Sequence, residues 1–237
     1  VGPMGLAAID YILHCERRPS LLVVTDIDEQ RLARAKALLS PEEAAANGVE
    51  LVYVNTAGEA DAKVLLLGFS PDGYDDVLVF APVAPVIELG DSVLAVDGCL
   101  NFFAGPENAD FSARVNFYNL HYASTHFVGT SGGNVDDMLE SIAMMNRGLL
   151  NPAILVTHIG GLDAVIPTTL NLPSIPGGKK LIYTGISLPL TAIADFETLG
   201  KKSPLFAQLH ALTQQTKGLW NAEAEAYLLN NAAPITV

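Results

Sequence analysis

The chain has 237 residues, half of them hydrophobic and 16% charged, which is ample material for one large domain or a domain with an appendage. Lys and Arg total 13 against 26 Asp and Glu, a formal charge of −13. This balance disfavours nucleic acid and anionic membranes as partners, yet leaves room for a phosphate-bearing ligand held by local cations or helix termini.

The first five residues, Val1-Gly2-Pro3-Met4-Gly5, read as x-G-x-x-G, the second half of a dinucleotide-binding G-x-G-x-x-G turn. An initial Gly and the strand before it are therefore expected to lie outside the chain, and that strand is the central one of such a sheet. A helix is predicted over residues 3–17. The apolar strand Leu21-Leu22-Val23-Val24-Thr25 ends on Asp26, 21 positions after Gly5. That is close to the separation at which an acid meets the adenosine ribose in a Rossmann unit.

The chemistry explains the residue types. Gly2 lets the backbone approach a pyrophosphate, and Gly5 lets the helix pack closely on the sheet. Pro3 suits a first helical turn, where its missing N–H costs little. Free N–H groups and the helix dipole then hold the diphosphate. Asp26 accepts from both ribose hydroxyls and repels a 2′-phosphate, which favours NAD(H) over NADP(H). Two blander readings compete: a protease scar ahead of an initiator Met, or a helix-start glycine with a solvated acid at a strand end. Val1 ahead of the glycine argues against the first. The strand, the acid and the order of later elements argue against the second.

Further along, strand and helix signals alternate, as a parallel sheet with crossover helices requires. Residues 28–39 carry Leu32, Ala35 and Leu39 at helical spacing, and Ser40-Pro41-Glu42-Glu43 has the form of a capped helix start. Strands are predicted at 51–54, 76–80 and 100–104, with helices at 60–69 and 83–89. The strand ends at Ala81-Pro82 and Ala104-Gly105 are candidates for lining the cofactor groove; taken singly, each is about as well explained as a plain strand terminator. Residues 115–122 and 125–128 are predicted as strands. The glycine-rich stretch 129–133, with Thr130 and Ser131, either approaches a ligand or forms an ordinary turn before a helix at 135–146, which Asn134 or Ser131 caps.

Beyond Leu150 the character changes: a strand at 152–158, a helix at 162–170, a turn at Gly177-Gly178, a strand at 179–183, and helices near 203–216 and 222–230. Cys15 and Cys99 have no metal spacing, and Cys15 is expected as a buried thiol. His14, His121, His126, His158 and His210 form no metal pattern either, so no metal ligand is assigned. The cysteine usage, without a signal peptide or membrane-length apolar run, suits a cytoplasmic protein.

The ordered pieces Gly2-Pro3-Met4-Gly5, Val23-Val24-Thr25-Asp26 with Arg31-Leu32, Phe127 to Gly132, Asn151-Pro152 through Val156-Thr157-His158, and Gly177-Gly178 through Ile182 resemble the medium-chain, zinc-type alcohol and polyol dehydrogenases. The resemblance covers roughly residues 1–184. The added length between Ser40 and Glu50 and the tail containing Lys217 to Leu228 look most like the L-sorbose-1-phosphate reductases of that family. It implies an α/β, Rossmann-type doubly wound parallel sheet without its first strand over residues 1–150. A C-terminal α+β segment, 151–237, would return to a catalytic domain outside the chain.

It also implies reversible hydride transfer between NAD(P)H and a ketose or polyol, in particular a sugar phosphate. Gly2, Pro3, Met4 and Gly5 would stand at the pyrophosphate and Asp26 at the ribose. Arg31 would lie near the adenine or ribose, with an ion pair to Asp28 an equal use. Ala81, Pro82, Ala104, Gly105, Thr130 and Ser131 would lie along the nicotinamide side. The family's zinc ligands come mainly from the amino-terminal domain, so this chain alone is expected to be inactive. A homo-oligomer is compatible with the pattern. The alternatives are an NAD(H)-sensing domain without turnover and an S-adenosylmethionine-dependent methyltransferase.

Overall fold

The computed structural model describes residues 1–235. Helix α1 (Pro3–His14) starts from Gly2, whose backbone is extended, with Pro3 in the first turn. It buries Leu6, Ile9, Asp10 and Leu13, one stripe of a 3.6-residue repeat. It stops at His14, earlier than expected, where the chain turns extended at Cys15. Cys15 is half-buried rather than buried, because it sits on this frayed end with its thiol near the Ile12 and Arg17 carbonyls.

Strand β1 (Leu21–Asp26) leads into α2 (Glu29–Leu38), which is capped by the Asp28 carboxylate accepting from the Gln30 and Arg31 N–H groups. The Ser40 and Glu43 side chains form the reciprocal capping box of α3 (Pro41–Ala46), and β2 (Glu50–Asn55) follows. β1 and β2 pair in parallel, Leu21 opposite Glu50 through Asp26 opposite Asn55.

The next units are α4 (Ala62–Leu67), β3 (Tyr74–Val79), α5 (Ala84–Ser92) and β4 (Leu94–Phe102), then α6 (Phe117–Tyr122), β5 (His126–Gly129) and α7 (Val135–Asn146). β3, β4 and β5 form a second parallel sheet in that order. Among the described residues the two sheets are not hydrogen-bonded to each other. The division falls between the halves of the expected doubly wound sheet, where the sequence reading left room for a further strand.

One element differs in kind. Residues 115–122, predicted as a strand, form α6 instead. The Asn116 side chain accepts from the Tyr118 and Asn119 N–H groups, and this N-cap outweighs the strand preference of the aromatic residues behind it. Residues 152–155, also predicted as strand, form a 3₁₀ turn with Pro152 at its start, capped by the Asn151 side chain. The strand itself, β6 (Val156–Gly161), comes later.

The C-terminal part adds α8 (Val165–Leu170), β7 (Lys179–Tyr183), β8 (Thr191–Ala192), α9 (Phe196–Gly200), α10 (Pro204–Gln214) and α11 (Ala222–Asn231). β6 is central in a mixed sheet, parallel to β7 and antiparallel to β8. Ile159, Phe196, Leu209, Trp220 and Leu228 close its core. The N-terminal part has its own core around Leu6, Leu13, Ala35 and Leu51. Ile154 and Leu219 from beyond position 150 complete that core. Among the described residues no helix is long and apolar enough to cross a membrane.

Candidate functional site

The start of α1 is open. No side chain caps it, and a Cβ added at Gly2 meets nothing within 4 Å. Among the described residues, then, no contact demands glycine there, and the first-turn N–H groups have no side-chain acceptor. Met4 is exposed. Gly5 does not touch a strand backbone as expected: the nearest neighbour of its notional Cβ is Val1 Cγ1, at 3.3 Å.

Asp26 closes β1 beside this helix start. Its Oδ1 accepts from the Asp28 N–H at 3.0 Å and lies 3.5 Å from Arg31 Nη2. Arg31 Nε is 3.2 Å from Asp28 Oδ2, so Arg31 serves both acids at once. The Arg31 N–H above all, then the Gln30 N–H and the Arg31 charge, hold the Asp28 carboxyl below its usual pKa.

Asp28 and Arg31, with the start of α1, border a cleft of about 470 Å³, and Asp26 stands behind them outside its lining. One side is the beginning of α1, with Gly2, Pro3 and Leu6; another is α2, with Asp28, Arg31 and Arg34. The third side comes from far along the chain: Ile154, Thr157, Gly177 and Gly178. Thr157 Oγ1 accepts from the Gly178 N–H at 2.8 Å and fixes that turn. A Cβ on Gly178 would collide with the Leu155 carbonyl, and Gly177 has φ +90°, so both positions need glycine. Arg34, Thr157 and the glycine turn were not among the candidates drawn from the sequence. Only Thr157 and Gly177-Gly178, quoted for their place in the motif order, hinted at them.

The other candidates form a separate row. Val79, Phe102 and Gly129 stand in register across the second sheet, so Ala81-Pro82, Ala104-Gly105 and Thr130-Ser131 follow its three carboxyl ends side by side. The Thr130 N–H donates to the Phe102 carbonyl, and Thr130 Oγ1 donates to Asn101 Oδ1, both at 3.3 Å. This row does not line the cleft. α7 behind it is capped by Asn134, with Asp137 completing the box, rather than by Ser131.

Among the described residues no three His, Cys, Asp or Glu side chains gather at metal-binding distance. His126 lies 2.9 Å from Asp97 on the surface. His158 shares a hydrogen bond with Thr157, and burial, then the Lys180 charge, lowers its pKa.

No family model matches the chain. It is 46% identical over 235 residues to the L-sorbose 1-phosphate reductase of Klebsiella pneumoniae, covering 99% of this chain and 54% of that protein. It is 51% identical over 229 residues to the mannitol-1-phosphate 5-dehydrogenase of Aliivibrio fischeri, covering 96% and 54%. Its homologues thus include proteins named as a sugar-phosphate reductase and a polyol-phosphate dehydrogenase. It spans about half the length of the curated relatives it matches. The uncharacterized protein YggP of Escherichia coli K12 is 57% identical over 229 residues, with the same shares covered. Among solved structures, the 2R,3R-butanediol dehydrogenase of Bacillus subtilis superposes with a TM-score of 0.61 at 17% identity, over 77% of this chain and 48% of that one. That likeness is one of fold, the α/β Rossmann type.

Proposed function

We propose that this chain is the nucleotide-holding part of a nicotinamide-dependent oxidoreductase that interconverts a ketose and a polyol, in particular their phosphates such as L-sorbose 1-phosphate and glucitol 6-phosphate. The observation that carries the reading is the uncapped start of α1 beside Asp26 and Arg31, in a chain that aligns along nearly its whole length with polyol-phosphate enzymes. On this reading residues 1–150 are the cofactor domain and 151–237 the segment returning to the catalytic domain.

The residues present fit a dinucleotide. The first turn of α1 offers free N–H groups and its dipole to the diphosphate, with room at Gly2 for close approach. Asp26 accepts from the ribose hydroxyls, and its charge favours NAD(H) over NADP(H). The row at Ala81-Pro82, Ala104-Gly105 and Thr130-Ser131 orients the nicotinamide side. Bound there, the nicotinamide supplies or accepts the hydride. The same residues do not fit a zinc ion, since no donor set converges among those described. No step is therefore assigned to a metal held by this chain.

Titrating the intact protein with NADH, NADPH and S-adenosylmethionine tests the reading, with the fluorescence of the reduced cofactors and calorimetry as signals. Trp220 is a poor reporter, because it is buried in the C-terminal core. NADH binding that weakens at least tenfold in Asp26→Ala, about 1.4 kcal/mol, is the expected result. Binding of S-adenosylmethionine with none of NADH or NADPH would overturn it in favour of methyl transfer.

A further inference from the structure

Arg34 stands on α2 one turn beyond Arg31 and lines the same cleft. The two guanidinium groups are not in the same situation. Arg31 is bracketed by Asp26 and Asp28. Arg34 has no carboxylate at ion-pair distance among the described residues. Its single bond runs from Nη2 to the Ile154 carbonyl, at 3.2 Å. A guanidinium carries five donors in a planar fork, so most of them are unused.

Arg34 is also half-buried, and burial alone lowers its pKa, with no acid acting the other way. In a chain with twice as many acids as bases, a partly buried cation without an acid stands out. Leaving such a charge uncompensated is costly, and the bond to Ile154 fixes the group at the cleft rather than letting it turn out to solvent. The open donors, the fixed position and the neighbouring start of α1 all call for an anion with several acceptor oxygens.

We propose that Arg34 receives a phosphate group of the adenine nucleotide held in this cleft. The inference rests on the nucleotide reading of the site and adds to it a contact the glycine turn does not supply. Two phosphates share the chemistry: the 5′-diphosphate, and a 2′-phosphate on the ribose. Because Ile154 belongs to the return segment, such a contact also reports that segment's position to the bound nucleotide.

The test measures binding of adenosine, 5′-ADP and 2′,5′-ADP to the intact protein by calorimetry, for the parent, Arg34→Gln and Arg34→Lys. Arg34→Gln is expected to weaken nucleotide binding about tenfold, as loss of a charge-assisted contact implies, while adenosine binding is unchanged. An equal loss for both nucleotides assigns the 5′-phosphate they share; loss confined to 5′-ADP assigns the second phosphate of the 5′-diphosphate, and loss confined to 2′,5′-ADP assigns the 2′-phosphate. Arg34→Lys, which keeps the charge without the fork, should recover part of the affinity. Nucleotide affinities within twofold of the parent in Arg34→Gln overturn the proposal. So does an equal loss for adenosine, which would mark a structural role. If the parent binds none of the three, the nucleotide reading falls as well, whereas undiminished nucleotide binding in the variant removes only this contact.

Discussion

Asp10 Oδ2 accepts a hydrogen bond from the Asn151 N–H, 2.8 Å away and 141 positions later in the chain. Asp10 lies on the buried stripe of α1, 5% exposed, so the helix whose start borders the cleft also anchors the beginning of the C-terminal segment. Arg34 makes the parallel contact from α2 to Ile154. The two bonds hold the far wall of the cleft against the near one.

Asp10 has a testable pH signature. Burial raises its carboxyl pKa, with the Asn151 N–H and His14 acting in the other direction. A raised acid favours the fold most below the ordinary Asp value, and this contribution is lost as pH rises through the folded pKa. Asp10→Asn keeps an oxygen acceptor and removes the buried charge. It is expected to be at least as stable as the parent at pH 7, with a flatter stability profile through the acid range. Asp10→Ala leaves the Asn151 N–H unpaired and should lose about 1–3 kcal/mol. Urea unfolding at pH 4 and pH 7 reads both; Asp10→Asn falling below Asp10→Ala at pH 7 would refute the account.

Ile154 is 3% exposed and packed into the core of the N-terminal part. Ile154→Ala should cost about 2–5 kcal/mol, the range for an emptied core site. Ile166 on α8 is 72% exposed, and Ile166→Ala should stay within about 0.5 kcal/mol. Comparable losses from the two in denaturant unfolding would show that Ile154 does not tie the segments together.

Tyr183 joins two elements of the C-terminal core. Trp220 Nε1 donates to its hydroxyl at 2.7 Å, and the hydroxyl donates to Glu225 Oε2 at 2.5 Å. Burial, then the Glu225 bond, raises the Tyr183 pKa. Tyr183→Phe strands the indole N–H and the carboxylate, so a loss of about 1–3 kcal/mol and a changed Trp220 emission spectrum are expected. An unaltered melting curve and spectrum would remove this network from the core.

What could be read from the sequence was what is encoded locally. The capping box at Ser40 to Glu43, the strand ending on Asp26, and the helix behind Asn134 each carry their signal within a few residues, and all three form as written. α6 was missed because its aromatic residues read as strand, while the decisive signal was one Asn side chain at its start. The cleft was half legible. Gly2 comes from the glycine turn, and Arg31 from the helix that follows the strand end at Asp26. Arg34 lies one turn beyond Arg31, but its place at the cleft shows only through its bond to Ile154, and Thr157 and the Gly177-Gly178 turn join from more than 100 positions away, which no local pattern announces.

The turn at Gly178 gives another check on that convergence. A methyl group there strikes the Leu155 carbonyl, which belongs to backbone and cannot swing aside. Gly178→Ala should destabilise the protein by about 1–3 kcal/mol and weaken nucleotide binding by moving the cleft wall. Full stability by thermal melting would show that the turn is looser than its geometry states.

The central claim is that the space before α1 holds the cofactor's diphosphate, and Gly2 separates that claim from fold stability. Gly2 has φ −75° and no neighbour within 4 Å of a notional Cβ, so Gly2→Val should leave stability within about 0.5 kcal/mol of the parent. The same side chain fills the place where the diphosphate would lie. The decisive measurement is the NADH dissociation constant of the intact Gly2→Val protein beside its melting temperature. The account predicts an unchanged melting temperature with NADH binding weakened tenfold or more, about 1.4 kcal/mol; parental NADH affinity in the folded variant would contradict it.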